Sequence, residues 1–129
     1  MKMKENILMN DVELVQALAE KLYDRKADEI VALKVSHLTV LCDYMIIASG
    51  RSAAQIASLC DAVEEMMAAR SVPLRRSEGV RDGHWAILDY GHIIVHLFHR
   101  DERAFYGLER LWTDGQNRLT LPFDQSAVD

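Results

Sequence analysis

The sequence predicts an α/β protein of the mixed α+β kind, with a single mixed β-sheet and helices packed on it. Three observations lead there. Segments of helical and strand periodicity alternate in the order α-β-β-α-(β)-β-β-α before residue 113. Two long apolar runs flank the pair Tyr90-Gly91 between His84 and His99, which is a hairpin signal. The chain has 129 residues, 50% hydrophobic and 27% charged, which suits one domain with a real core.

Each element has a local reason. Asn10 followed by Glu13 resembles a capping box, and Leu14, Val15, Leu18 and Leu22 recur at helical spacing, so residues 11–26 read as an amphipathic helix. Residues 1–9 read as a loose lead-in. Ile30 to Val35 reads as a first strand. Ser36 to Asp43 reads as loop or a short turn, with Leu38, Val40 and Leu41 in it. Tyr44 to Ser49 is a nearly continuous apolar run, a buried strand punctuated by Gly50. Ser52 to Gln55 is a capping box opening a helix whose stripe is Ile56, Leu59, Cys60, Val63, Met66 and Met67. That helix stops near Arg70-Ser71, before Pro73. Leu74 to Val80 reads as a short edge strand, and Arg81-Asp82-Gly83 as a turn.

A hairpin turn at Tyr90-Gly91 sets Asp89 opposite His92, Ile87 opposite Ile94 and Trp85 opposite His96. Period-2 alternation then places Trp85, Ile87, Asp89, His92, Ile94, His96 and Phe98 on one face. The other face carries Ala86, Leu88, Ile93, Val95 and Leu97 and belongs on a core. Asp101 reads as the cap of a final helix, with Phe105, Leu108, Leu111 and Trp112 on one side; Phe105 and Trp112 are expected in the core. Residues 1–112 form the expected domain and residues 113–129 a polar C-terminal tail.

Composition narrows the function. A net charge of −5 and a pI near 5.5 argue against a broad RNA- or DNA-binding surface and leave a basic protein partner open. Cys42 and Cys60 are too few for a disulfide framework and read as buried thiols. No apolar run approaches the roughly 20 residues of a membrane span, and no signal or transit pattern is visible. A cytoplasmic protein is expected, with no membrane partner.

Candidate chemistry is sparse. His96 and His99 form an HxxH pair, but on a strand they point to opposite faces; His92 and His96 share a face about 13 Å apart. No metal site and no cofactor are expected. Ser49-Gly50-Arg51-Ser52 opens a capped helix and faintly resembles a phosphate-binding turn, yet it fits neither glycine-rich fingerprint. Nucleotidyltransferases need closely placed carboxylates after such a turn to hold metal ions. Here SAAQIASLC follows, without an acidic pair. Cys60 on an apolar helix stripe is a poor nucleophile.

Surface recognition remains. Trp85, Tyr90, Phe98, Tyr106 and Trp112 crowd into one short stretch, interleaved with Asp89, Asp101, Glu102 and Glu109. Trp and Tyr are common energetic anchors of interfaces. The candidate partner surface is Trp85, Ile87, Asp89, Tyr90, His96, Phe98, Tyr106 and Glu109. For Trp85 and Tyr90, core and surface both stay open at this level.

The block WAILDYGHIIVHLFHRDERAFYGLERLW closely resembles the signature of the ribosomal silencing factor family (RsfS, also called Iojap). ADEIVALKV and DYMIIASGRSAAQIASLCDAV resemble its N-terminal half, with Asp43-Tyr44 inside a further family motif. The resemblance runs from about Asp11 to Trp112. It implies an α/β fold akin to a nucleotidyltransferase that has lost its catalytic carboxylates, and a non-enzymatic role. It also implies binding to the basic large-subunit ribosomal protein uL14 on the 50S subunit, through the strand bearing Trp85, Asp89 and Tyr90. Bound there, family members block joining to the 30S subunit and lower translation when nutrients are short; a homodimer is also implied. His92 stands where relatives commonly carry an acid. The competing expectation is a nucleotide-binding or nucleotidyltransferase-like enzyme using the Gly50–Ser52 turn.

Overall fold

A computed structural model describes residues 10–124. The expected lead-in over 1–9 and the end of the expected tail, 125–129, lie outside the described residues. Among the described residues the order is α1 (Asp11–Asp24), β1 (Asp28–Lys34), β2 (Tyr44–Gly50), α2 (Ala53–Ala69) and β3 (Arg76–Glu78). There follow β4 (Trp85–Asp89), β5 (Ile93–His99), α3 (Arg100–Tyr106) and α4 (Leu108–Trp112). The five strands form one mixed sheet in the order β1-β2-β5-β4-β3. β2 and β5 run parallel; the other neighbours are antiparallel.

The expected capping box forms at α1, whereas at α2 only its Ser52 half does. The Glu13 amide donates to Asn10 Oδ1 at 2.8 Å, and the Asn10 amide donates to Glu13 Oε1 at 3.2 Å. At α2 the Gln55 amide donates to Ser52 Oγ at 3.1 Å, while the Gln55 side chain accepts from the Arg51 amide at 2.7 Å. The Asn10 and Ser52 side chains thereby satisfy backbone N–H groups that a helix start leaves without partners.

The sheet separates two unequal cores. On one face α1 and α2 bury Leu14, Leu18 and Leu22, with Ile56, Leu59 and Val63, against Ala32, Ile46, Ala48, Leu88, Val95 and Leu97. On the other face Val31, Leu33, Met45, Ile47 and Phe98 are buried, with Trp85, Ile94, Leu108 and Trp112 only partly covered. This second face has two short helices where the first has two long ones.

Five expectations change. The hairpin register is Asp89↔Ile94, Ile87↔His96 and Trp85↔Phe98, two residues from the expected pairing. The Tyr90 amide donates to the Ile93 carbonyl at 2.9 Å, so the turn is centred on Gly91-His92. Gly91 takes φ +91°, a conformation Tyr90 would hold only under strain. A slip of two preserves the faces, because side chains alternate with period 2. The final helix is broken at Gly107, which sits at φ +58° and ends α3. The cap of α3 is His99, whose Nδ1 accepts from the Asp101 amide at 3.2 Å, rather than Asp101. The break turns Phe105 and Leu111 outward, at 80% and 73% exposed, so Phe105 is not core. Residues 113–124, expected as a tail, pack on the domain. The Leu119 amide donates to the Ala32 carbonyl and the Lys34 amide to the Asn117 carbonyl, closing the free edge of β1.

A candidate docking face built around Trp85

β4 and β5 lay three cross-strand pairs on the thinly covered face: Trp85 with Phe98, Ile87 with His96, and Asp89 with Ile94. Phe98 is fully buried, while Trp85, Ile87 and Ile94 are half-buried. Trp85 is held from three sides. Its ring stacks on Phe98 at a centroid distance of 4.8 Å and meets Tyr106 at 4.8 Å. Its indole N–H donates to His96 Nδ1 at 3.1 Å. Phe105 then caps Tyr106 edge-on at 5.2 Å.

His96 is 7% exposed, and burial pulls its imidazole down to about 4, from an ordinary 6.5. The ring is therefore neutral near pH 7, with Nδ1 unprotonated, as accepting from Trp85 requires. Neutral His96 thus orients the indole, leaving its outer edge at the surface.

The α3–α4 corner sets where Tyr106 stands. Arg103, 5% exposed, forms a forked pair with Glu109: Nε to Oε1 at 2.8 Å and Nη2 to Oε2 at 3.2 Å. Its Nη1 donates to Ser49 Oγ at 2.8 Å, tying the corner to the end of β2. The Arg103 hydrogen bonds hold the Glu109 carboxyl below the usual carboxylate range.

Asp89 closes the other end of the face. Its Oδ1 accepts from the Gly91 amide at 2.8 Å, and its Oδ2 lies 3.7 Å from Arg76 Nε. The loop after β1 borders this end and exposes Leu38, Val40 and Leu41. Burial, with the charges of Asp43 and Asp89, pushes the Cys42 thiol up to about 11, so it stays protonated. Cys60 is likewise buried, and its thiol is pushed up to about 12.

Of the sequence-nominated residues, the structure brings Trp85, Ile87, Asp89, His96, Phe98 and Tyr106 onto one continuous face. His96 and Phe98 support it from beneath. Tyr90 lies on the opposite side of the sheet, 4% exposed among the residues under α2. Glu109 is committed to Arg103. Phe105 joins the face through Tyr106 and was not among the nominated residues. The positive-φ demand on Gly107 was the signal for it, because a helix ending there reorients what precedes it.

The Gly50–Ser52 turn is engaged internally. Arg51 pairs with Asp28 through Nε at 3.2 Å, and its amide is held by Gln55. Among the described residues no group of three or more His, Cys, Asp or Glu side chains is placed to hold a metal ion. No helix among them is long and apolar enough to cross a membrane.

Residues 9–128 match the family described as ribosomal silencing factor during starvation. The chain is 33% identical over 106 residues to the ribosomal silencing factor RsfS of Halalkalibacterium halodurans, covering 82% of this chain and 91% of that one. It is 35% identical over 115 residues to the protein of the same name from Zymomonas mobilis, covering 89% and 86%. A crystal structure of a Chromobacterium violaceum protein, 30% identical, superposes with a TM-score of 0.77 over 89% of this chain and 98% of that one.

Proposed function

This chain belongs to the ribosomal silencing factor family, and from that premise we propose that it docks on the large ribosomal subunit through the Trp85 face. The family's role is ribosome-associated silencing of translation, which makes the chain a regulator of translation. In the finer reading its partner is the basic protein uL14 of the 50S subunit. The bound domain then occupies space the 30S subunit needs.

One observation carries the reading: a rigidly held aromatic and aliphatic strip, Trp85–Ile87–Ile94 with Tyr106 and Phe105, stands partly uncovered on an otherwise well-packed domain. Interfaces draw most of their energy from such fixed aromatic anchors. Acids outnumber bases along the strip's border: Glu78 pairs with Ile87 across β3 and β4, Asp89 closes one end with Arg76 between the two, and Asp101 and Glu102 open α3 beside the other. A chain of net charge −5 with that rim favours a basic protein patch. An interface of about 800 Å² per partner is of the size a single sheet face and two short helices offer. The same strip suits a second copy of the chain, so a homodimer would compete with ribosome docking.

The test is co-sedimentation of the purified chain with 50S subunits, 30S subunits and 70S ribosomes, followed by a subunit-joining assay. Binding to 50S alone, with fewer 70S particles formed from free subunits, is the expected result. Binding to 50S with unimpaired joining would refute occlusion, and absence of 50S binding would refute the docking itself. Saturable thermal stabilisation by nucleotides with Mg²⁺ would instead point to the Gly50–Ser52 turn.

A further inference from the structure

On the side of the sheet away from Trp85, the C-terminal half of α2 and the chain after it leave an open cleft of about 460 Å³. Ala68, Val72, Pro73 and Leu74 give it apolar walls, and Glu64 and Tyr90 stand in it. Tyr90 is 4% exposed, and its hydroxyl is buried with no hydrogen-bond partner. A buried hydroxyl left so is uncommon, because it loses water and gains nothing. It is the sole such side-chain atom among the described residues. The volume lies within the range of small-molecule sites, which pair apolar walls with a few converging polar groups.

The polar groups agree on the charge of a guest. Glu64 brings a carboxylate. The Met67 and Ala68 carbonyls at the end of α2 are already bonded by the Arg70, Ser71 and Val72 amides, which leaves the side chains to receive a guest. The Tyr90 phenol, pushed up to about 12 by burial and then by the charges of Glu64 and Cys60, stays neutral and offers oxygen lone pairs. Neither Arg70 nor Arg75 lines the cleft. An anion finds no counter-charge there, whereas an ammonium group finds the Glu64 carboxylate and the Tyr90 oxygen, and its carbon stem meets Val72 and Leu74.

We propose that this cleft binds a small amphiphilic amine, its ammonium group donating to the Glu64 carboxylate and the Tyr90 hydroxyl oxygen and its apolar stem lying on Val72 and Leu74. The site does not rest on the ribosome-docking reading, since it lies on the other face of the sheet and uses none of the exposed Trp85 strip.

The experiment titrates the full chain with n-hexylamine, n-hexanol and hexanoate at neutral pH, followed by proton–nitrogen correlation NMR. Hexylamine is expected to give saturable shifts confined to the segment from Glu64 to Leu74 and the neighbourhood of Tyr90. Hexanol should bind at least several-fold more weakly and hexanoate not measurably. Glu64→Gln, a conservative change on a partly exposed helix position, should weaken hexylamine binding about tenfold. Tyr90→Phe, which keeps the ring, should weaken it several-fold. Equal binding of hexanoate, absence of saturable shifts with hexylamine, or unchanged affinity in either variant would overturn the assignment.

Discussion

Trp85 owes its geometry to a neutral histidine, and that dependence can be measured in two ways. Trp85→Ala removes the ring that Phe98, Tyr106 and His96 hold in place. It should weaken 50S binding by about 2 kcal/mol or more, roughly thirtyfold. The fold should remain cooperative, because Trp85 is only half-buried; wild-type sedimentation by a folded variant would remove the strip from the interface. His96 gives a stability signature. Its imidazole stays neutral down to about 4 in the folded chain, against 6.5 when unfolded. Above pH 6.5 neither state binds the proton and His96 adds no pH dependence. As pH falls from 6.5 towards 4, only the unfolded chain takes the proton, so stability is lost by up to about 3 kcal/mol. Urea denaturation at pH 7, 6 and 5 should show His96→Gln losing correspondingly less stability than wild type on acidification; parallel curves would mean that His96 is not the titrating group. Tyr90 marks the limit of sequence reading at this scale. Its position beside the turn left surface and core equally open, and one residue of turn placement decided for the core. Tyr90→Phe should be neutral or stabilising by up to about 1 kcal/mol in chemical denaturation, because it removes an unsatisfied buried hydroxyl. A clear loss of stability would imply that the hydroxyl has a partner in solution.

Elements with a strong local signal were readable, and those set by contacts distant in sequence were not. The caps of α1 and α2, the apolar run of β2 and the two faces of the β4–β5 hairpin follow from spacing alone. The hairpin faces survived a wrong register because both turn placements keep the same parity. The α3–α4 corner did not, since Arg103 braces it from inside the fold, paired with Glu109 and bonded to Ser49 far away in sequence. In sequence, Arg103 and Glu109 look like ordinary surface charges on one helix. In the fold they are a forked pair that braces two short helices, with Gly107 at φ +58° allowing the turn between them. Removing one partner leaves Arg103 buried without its counter-charge. Glu109→Ala should therefore destabilise by about 2–3 kcal/mol, at the low end for a buried pair because the Glu109 side chain is 35% exposed. Arg103→Met combined with Glu109→Leu should recover part of that loss, since no lone charge remains buried. A double variant less stable than Glu109→Ala would show that the Arg103 bond to Ser49, and not the ion pair, carries the corner. Both variants should also weaken 50S binding more than their stability explains, because Tyr106 stands on the corner they loosen.

For the whole molecule, the boundary of the folded unit lies beyond the place where helical periodicity stops. Polar composition after Trp112 reads as a tail because no apolar stripe continues, yet a β-sheet edge can be closed by backbone alone. Asn117 shows how. Its side-chain N–H groups donate to the Lys34 carbonyl at 2.9 Å and the Trp112 carbonyl at 2.8 Å. Its Oδ1 accepts from the Asp114 amide at 2.9 Å, fixing the turn that leads the chain back along β1. Leu121 is then buried at 2% exposure in the core under α1, and Phe123 stacks on Tyr23 at 4.3 Å. These contacts join the last described segment to the first helix, so the two stabilise one another. Ending the chain after Trp112 would uncover the β1 edge and remove Leu121, whose burial alone is worth about 1.5–3 kcal/mol. The loss of paired backbone groups adds about 1 kcal/mol for each hydrogen bond. The shortened chain should unfold at a clearly lower urea concentration, by at least about 3 kcal/mol, and the bared edge of β1 should promote association. Asn117→Ala in the full chain should reproduce part of the loss, about 1–3 kcal/mol, through its unpaired partners. A shortened chain as stable and as monodisperse as the full one would return residues 113–124 to the status of a tail. If instead the loss appears, impaired 50S binding by the shortened chain is to be expected as well, because β1 and β2 anchor the face on which Trp85 stands.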